Sequence, residues 1–169
     1  MIGSAIVLFS CTAAGIYMAS KDKYRAEELM EMKRGLCMLK SEICHNSRPL
    51  YEAMIDISQM LEDTVSEIFE DSGRMLKARK AASASEAWEK TLKESRGRTF
   101  FKKEDIDAFI SFGQALGGAD REGQTANIDI AVEYIDRKSD ELIKKYAKDG
   151  RLFRSMGVMG GILIVVVLF

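Results

Sequence analysis

Charge is distributed along this chain in a way that leaves few folds open. The first twenty residues, MIGSAIVLFSCTAAGIYMAS, carry no charged side chain, and neither do the last fifteen, SMGVMGGILIVVVLF. All 25 Lys and Arg and all 26 Asp and Glu therefore lie in residues 21–154. A middle so rich in charge requires water, and the two ends do not. The chain reads as three parts, 1–20, 21–154 and 155–169, of which the middle is long enough for one domain with a real core.

Twenty residues in a helix rise about 30 Å, the thickness of the hydrocarbon core of a bilayer. A cleaved signal peptide would need a basic segment ahead of the apolar run and a small-residue cleavage site. Met1-Ile2-Gly3-Ser4 supplies no base, and YMASKD is a poor site. Lys21, Lys23 and Arg25 follow the run instead, so 1–20 reads as a retained anchor with its basic flank in the cytoplasm. The last fifteen residues reach only about 22 Å. Arg151 and Arg154 can lay their stems along the apolar zone and keep their charges at the interface, which extends that reach. GILIVVVLF is apolar on every face, unlike a surface helix of a small domain. Both ends are thus expected to be membrane helices, holding one cytoplasmic domain and leaving the chain's last residues in or just across the bilayer. Gly157 and Gly161, with Gly160 beside them, form a G-x-x-x-G that would let a second helix backbone approach, with Gly3, Ala13, Ala14 and Gly15 as its partners.

The middle reads as helical. A single proline and the absence of Asn-Gly or Asp-Gly turns argue against a sheet. Leu29, Met32, Leu36, Leu39 and Ile43 step by three and four along one face, and Pro49 stops that helix. Asn46 or Ser47 is placed to cap a second helix, whose stripe Leu50, Met54, Ile57, Leu61 and Ile68 predicts continuity from Tyr51 to about Phe69. Asp71-Ser72-Gly73 reads as a break, and 74–82 as a short basic helix or connector. Ser83 with Glu86 three residues on forms a capping box, and Ala87, Trp88 and Leu92 make the inner face of the helix it opens, which Gly97 ends. Ile106, Phe109, Ile110, Gly113 and Leu116 line the next. After Gly117-Gly118-Ala119, Asp120 caps a last long helix with Ile128, Ala131, Ile135, Leu142 and Tyr146 inward. The expectation is an all-α bundle of five to six helices.

Chemistry is hard to find. His45 is the chain's one histidine and sits at a helix end, where it complements the dipole. There is no G-x-x-x-x-G-K-[ST] phosphate loop. Glu27-Glu28 and the Asp105, Asp107 pair read as solvated faces, so neither an enzyme nor a bound cofactor or metal is expected. Cys37 and Cys44 are about 10 Å apart along one helix, too far for a disulfide, and with Cys11 read as reduced thiols used as small apolar residues. The net charge of −1 lacks the basic footprint of nucleic-acid binding. LGGADREGQ is the most distinctive stretch. Its glycines permit a sharp turn, Asp120 caps, and Gln124 lies one turn in, placed to hydrogen-bond across the bend.

These pieces, in this order, resemble the stage III sporulation protein AB family of endospore-forming bacteria over essentially the whole chain. The resemblance is carried by MLKSEICHNSRPLYEA, AWEKTL, FISFGQALGGADREGQ and the glycine-rich apolar end. Phe112, Gly113, Leu116, Gly117, Asp120 and Gln124 match the family pattern, whereas Cys44-His45-Asn46-Ser47 replaces its frequent tyrosine-glycine. The resemblance implies a non-enzymatic platform in a secretion-like apparatus at the mother-cell membrane around the forespore. Its domain would resemble the helical domain of type II secretion and type IV pilus platform proteins. The partners the resemblance implies are a secretion-type ATPase and other membrane subunits of the complex; the apolar ends add the lipid bilayer, and a homo-oligomer is left open. Arg74, Lys77, Arg79 and Lys80 are the candidate dock for the ATPase, and the 112–124 stretch is a structural turn and a candidate contact. A membrane-tethered binding or signalling module with no part in secretion is the alternative. An enzyme built on Asp120 or Glu122 is a remoter one.

Overall fold

The computed structural model describes the backbone of residues 2–45, 48–118 and 120–168, and the side chains of residues 21–45, 48–118 and 120–148. Six helices follow one another: α1 (Ile2–His45), α2 (Leu50–Ser58), α3 (Asp63–Lys77), α4 (Ala84–Glu94), α5 (Lys103–Gly113) and α6 (Arg121–Leu168). No strand occurs among the described residues. Neither end forms a helix of its own: the N-terminal segment is the start of α1 and the C-terminal segment the end of α6. Among the described residues no helix is long and apolar enough to cross a membrane. Segments 1–20 and 155–169, with Gly157, Gly160 and Gly161, lie outside the residues whose side chains are described.

α1 and α6 run antiparallel, and their ion pairs record the register. Asp22 meets Lys145, Lys33 meets Asp136, and Lys40 meets Asp129. The chain therefore enters and leaves the bundle at the same end. Against this pair pack α2–α3 and α4–α5, closing a core around Leu29, Met32, Leu36 and Leu39 of α1. The three-four stripe of α1 is buried as expected, with Ile43 packed at the edge. Phe69, Trp88, Phe109 and Ile128 fill the centre, and Trp88 meets the rings of Phe69 and Phe112 edge-on, at centroid distances of 5.2 and 5.7 Å.

The structure corrects the sequence reading of these elements at several places. The N-cap of α2 is Pro49, with no side-chain cap hydrogen bond, whereas Asn46 and Ser47, the expected caps, lie outside the described residues. The helix expected from Tyr51 to Phe69 is two helices. Backbone N–H groups of Gln59, Met60 and Leu61 turn back on Asp56, Ile57 and Ser58, tightening the chain out of the α-helix. The Glu62 N–H freed at this break donates to Glu31 of α1 at 3.0 Å, and the Ser66 hydroxyl covers the Ser58 carbonyl at 2.8 Å. A periodic stripe continues through such a break because both helices face one core.

Asp71-Ser72-Gly73 is not a break but the middle of α3, so Arg74 to Lys77 are its last turn. Gly73 is needed for packing: a Cβ there would lie 2.9 Å from the Tyr51 carbonyl and 2.8 Å from Ile55 of α2. Tyr146 is exposed rather than inward. It lies beside Lys145, level with the outer end of the α1 pairing and beyond the Lys138–Glu104 link between α6 and α5. Cys37 and Cys44 are also exposed on α1, so their thiols are not core residues.

Candidate functional site

The expected turn between α5 and α6 is a joint that holds three helices. Phe112 and Leu116 are buried, and the approach of α5 to α4 depends on Gly113. A Cβ at Gly113 would stand 2.2 Å from Cδ1 of Trp88. The indole N–H of Trp88 donates to the Phe109 carbonyl at 2.9 Å, which fixes the ring over that glycine. Gly117 takes φ +77°, a conformation that favours glycine, and an added Cβ would also touch Ala84 at 3.0 Å. The buried Gln124 then closes the bend. Its Nε2 donates to the Gly118 carbonyl at 2.7 Å and its Oε1 accepts from the Gly117 N–H at 3.4 Å. Asp120 caps α6, its two oxygens accepting from the Glu122 and Gly123 N–H groups, each at 3.0 Å. All six residues matched to the family pattern are thus brought together in one joint, and each has a structural task there.

The basic stretch lies elsewhere. Arg74, Lys77, Arg79 and Lys80 are exposed at the C-terminal end of α3, where cations complement the helix dipole. Arg74 pairs with Glu70 one turn before it. No ion pair is described for Lys77, Arg79 or Lys80.

Sequence reasoning missed a buried charged node. Asp105, read as part of a solvated face, is fully buried, and so is Arg25. The guanidinium holds the carboxylate with two hydrogen bonds, each 2.8 Å, and reaches Glu104 with a third at 2.8 Å. The phenol of Tyr134 on α6 donates to Asp105 at 2.8 Å, and the Lys102 N–H donates to its other oxygen at 2.7 Å. Burial opposes the charge on Arg25, but the bonds to Asp105 and Glu104 outweigh it and raise its pKa. Burial first, then the bond to Asp105, raises the Tyr134 phenol well above its usual range. The Arg25 and Lys138 bonds hold the Glu104 carboxyl below its ordinary value. The node ties α1, α5 and α6 to one point. No local signal marks it, since the pair is separated by 80 residues.

A second missed feature is a cleft of about 290 Å³ lined by Tyr24, Glu28, Glu31, Glu62, Asp63 and Phe100, among others. Tyr24 and Phe100 stack at 5.2 Å and are both exposed. Burial, reinforced by Asp63 and opposed by the Phe100 N–H, pushes the Glu28 carboxyl up to about 7. Among the described residues no three His, Cys, Asp or Glu converge as a metal site.

What these observations define is a helical scaffold: a bundle hung on one long antiparallel helix pair, in which the polar groups of the joint and the node hold helices together. The comparisons are specific about which scaffold. The family model described as stage III sporulation protein AB matches residues 1–169, and the chain belongs to that family. It is 26% identical over 168 residues to the stage III sporulation protein AB of Bacillus subtilis (strain 168), covering 99% of this chain and 98% of the relative. A solved structure of a stage III sporulation protein AB, SpoIIIAB, superposes with a TM-score of 0.69 at 26% identity. That match covers 73% of this chain and 97% of the solved one.

Proposed function

We propose that the protein is a non-enzymatic membrane platform of a sporulation-specific, secretion-like apparatus, coupling a cytoplasmic ATPase to the membrane complex between mother cell and forespore. The observation that carries this reading is the antiparallel pairing of α1 with α6. Asp22 and Lys145 meet where the two uncharged ends leave the bundle, so both ends are directed to the same side. Two apolar segments leaving one end of a charged bundle suit a domain seated on a membrane by two anchors. The exposed end of α3, with Arg74, Lys77, Arg79 and Lys80, is the surface offered to the ATPase.

The full chain in mild detergent should retain the secretion-type ATPase of the same machinery, and charge reversal at Arg74, Lys77 and Lys80 should abolish retention. Retention of the ATPase by the reversed variant would remove the dock; failure of folded wild-type protein to bind would remove the coupling role. In cells, the full chain should resist alkaline extraction from membranes, and deletion of 1–20 or 155–169 should weaken that resistance.

A further inference from the structure

The two ends of α3 carry opposite charges. At its start the cleft gathers Glu28 and Glu31 of α1 with Glu62 and Asp63. Glu31 has Arg34 at 3.4 Å, whereas no ion pair is described for Glu28, Glu62 or Asp63. At its far end Lys77, Arg79 and Lys80 are exposed, also with no described acidic partner. Asp63 and Lys77 are the first and last residues of the same helix, about 21 Å apart at 1.5 Å per residue. A rigid helix keeps these two groups from meeting within one molecule.

The cleft offers a basic side chain an aromatic wall as well as acidic groups. Tyr24 and Phe100 stay exposed although large and apolar. Lys23 of the same chain lies 5.9 Å from the Tyr24 ring centroid and pairs with Glu27, so the rings already carry one cation, and the stacked pair leaves Phe100 as a face for the stem and charged head of a second Lys or Arg. The Glu28 carboxylate behind them is half-buried and bonded to the Phe100 N–H at 2.7 Å. A cation brought in from outside would complete its charge pairing.

We propose that copies of this chain associate head to tail, the basic end of α3 in one copy docking in the acidic, aromatic-walled cleft at the start of α3 in the next. The contact is heterologous, so it builds an array or a ring rather than a two-fold pair. In an open array one copy always leaves its basic end free, which is the end offered to the ATPase above. The association itself involves this chain alone and stands or falls independently of the ATPase.

The test is the mass of the full chain in mild detergent, measured by light scattering at about 50 mM and about 500 mM salt, since such a contact is screened. The wild type should run at two or more copies in low salt and fall toward one copy in high salt. Glu28→Gln with Asp63→Asn, which keeps hydrogen-bond acceptors in place, should remain a single copy at low salt. So should Lys77→Gln with Lys80→Gln, with helical content checked by circular dichroism in both. An equimolar mixture of the two variants retains one intact acidic and one intact basic end, and should recover a two-copy species. The proposal is overturned by a wild type that is a single copy at low salt, by variants that keep the wild-type mass, or by a mixture that stays at one copy.

Discussion

The guanidinium of Arg25 and the carboxylate of Asp105 meet through two 2.8 Å hydrogen bonds in the interior of the bundle. Neither residue has significant solvent exposure. Breaking one partner of such a pair leaves a buried charge uncompensated. Arg25→Ala or Asp105→Ala should therefore cost about 3–5 kcal/mol in urea unfolding, whereas the apolar double replacement Arg25→Met with Asp105→Leu should recover much of that loss. A double variant as unstable as the singles would show that the node does more than neutralise itself.

Gly113→Ala should destabilise the bundle by about 1–3 kcal/mol or more, because the new Cβ meets a ring that cannot retreat. Trp88 is held by the Phe109 carbonyl and wedged against Phe69 and Phe112. It is the chain's one tryptophan, so its fluorescence reports the displacement directly in the same denaturation experiment.

In the joint, Gln124→Leu should cost about 1–2 kcal/mol, leaving the Gly118 carbonyl and the Gly117 N–H without their partner. Asp120→Ala should cost about 1 kcal/mol as a lost helix cap. The neighbouring Glu122, exposed, should tolerate alanine within about 0.5 kcal/mol. Thermal unfolding of the three variants checks this ordering. Loss of function from Glu122→Ala with unchanged stability would instead point to an acidic pair with a chemical task.

Glu28 should make stability depend on pH. Its folded carboxyl is raised to about 7 while the unfolded one titrates near 4.5, so the folded state binds more protons in between. The penalty is absent below about pH 4.5, grows as pH rises, and is complete above about pH 7. Glu28→Gln, which keeps an acceptor for the Phe100 N–H, should be more stable than wild type at pH 8 and nearly equal to it at pH 4. Melting temperatures of the two proteins across that range test the sign.

Much of the architecture is legible in the sequence because its cause is local. Three-four spacing buries Leu29, Met32, Leu36 and Leu39 whatever they face, and Ser83 caps α4 because Glu86 N–H lies within reach, 3.1 Å away. Even there the reciprocal bond shifts by one residue, with the Glu86 carboxylate accepting from Ala82 rather than from Ser83. Asp120, Gly117 and Gln124 were readable as a turn for the same reason, since all three act within eight residues of one another.

The remaining features depended on what lies across the bundle. Gly73 looks like a helix breaker until α2 is seen pressed against it, and the division of 50–77 into two helices needed Glu31 of α1 to take the stray Glu62 N–H. Asp105 has an exposed neighbour of the same charge, Asp107, two residues away, and nothing in their spacing says which one is buried. The sequence by itself determined the helical class, the caps at Ser83 and Asp120, the turn and the partition of charge, because hydrogen bonds and periodicity over a few residues suffice for these. Tertiary structure decided where charge is buried, where backbones touch and which acids and bases end up at opposite ends of α3, because those depend on partners tens of residues away.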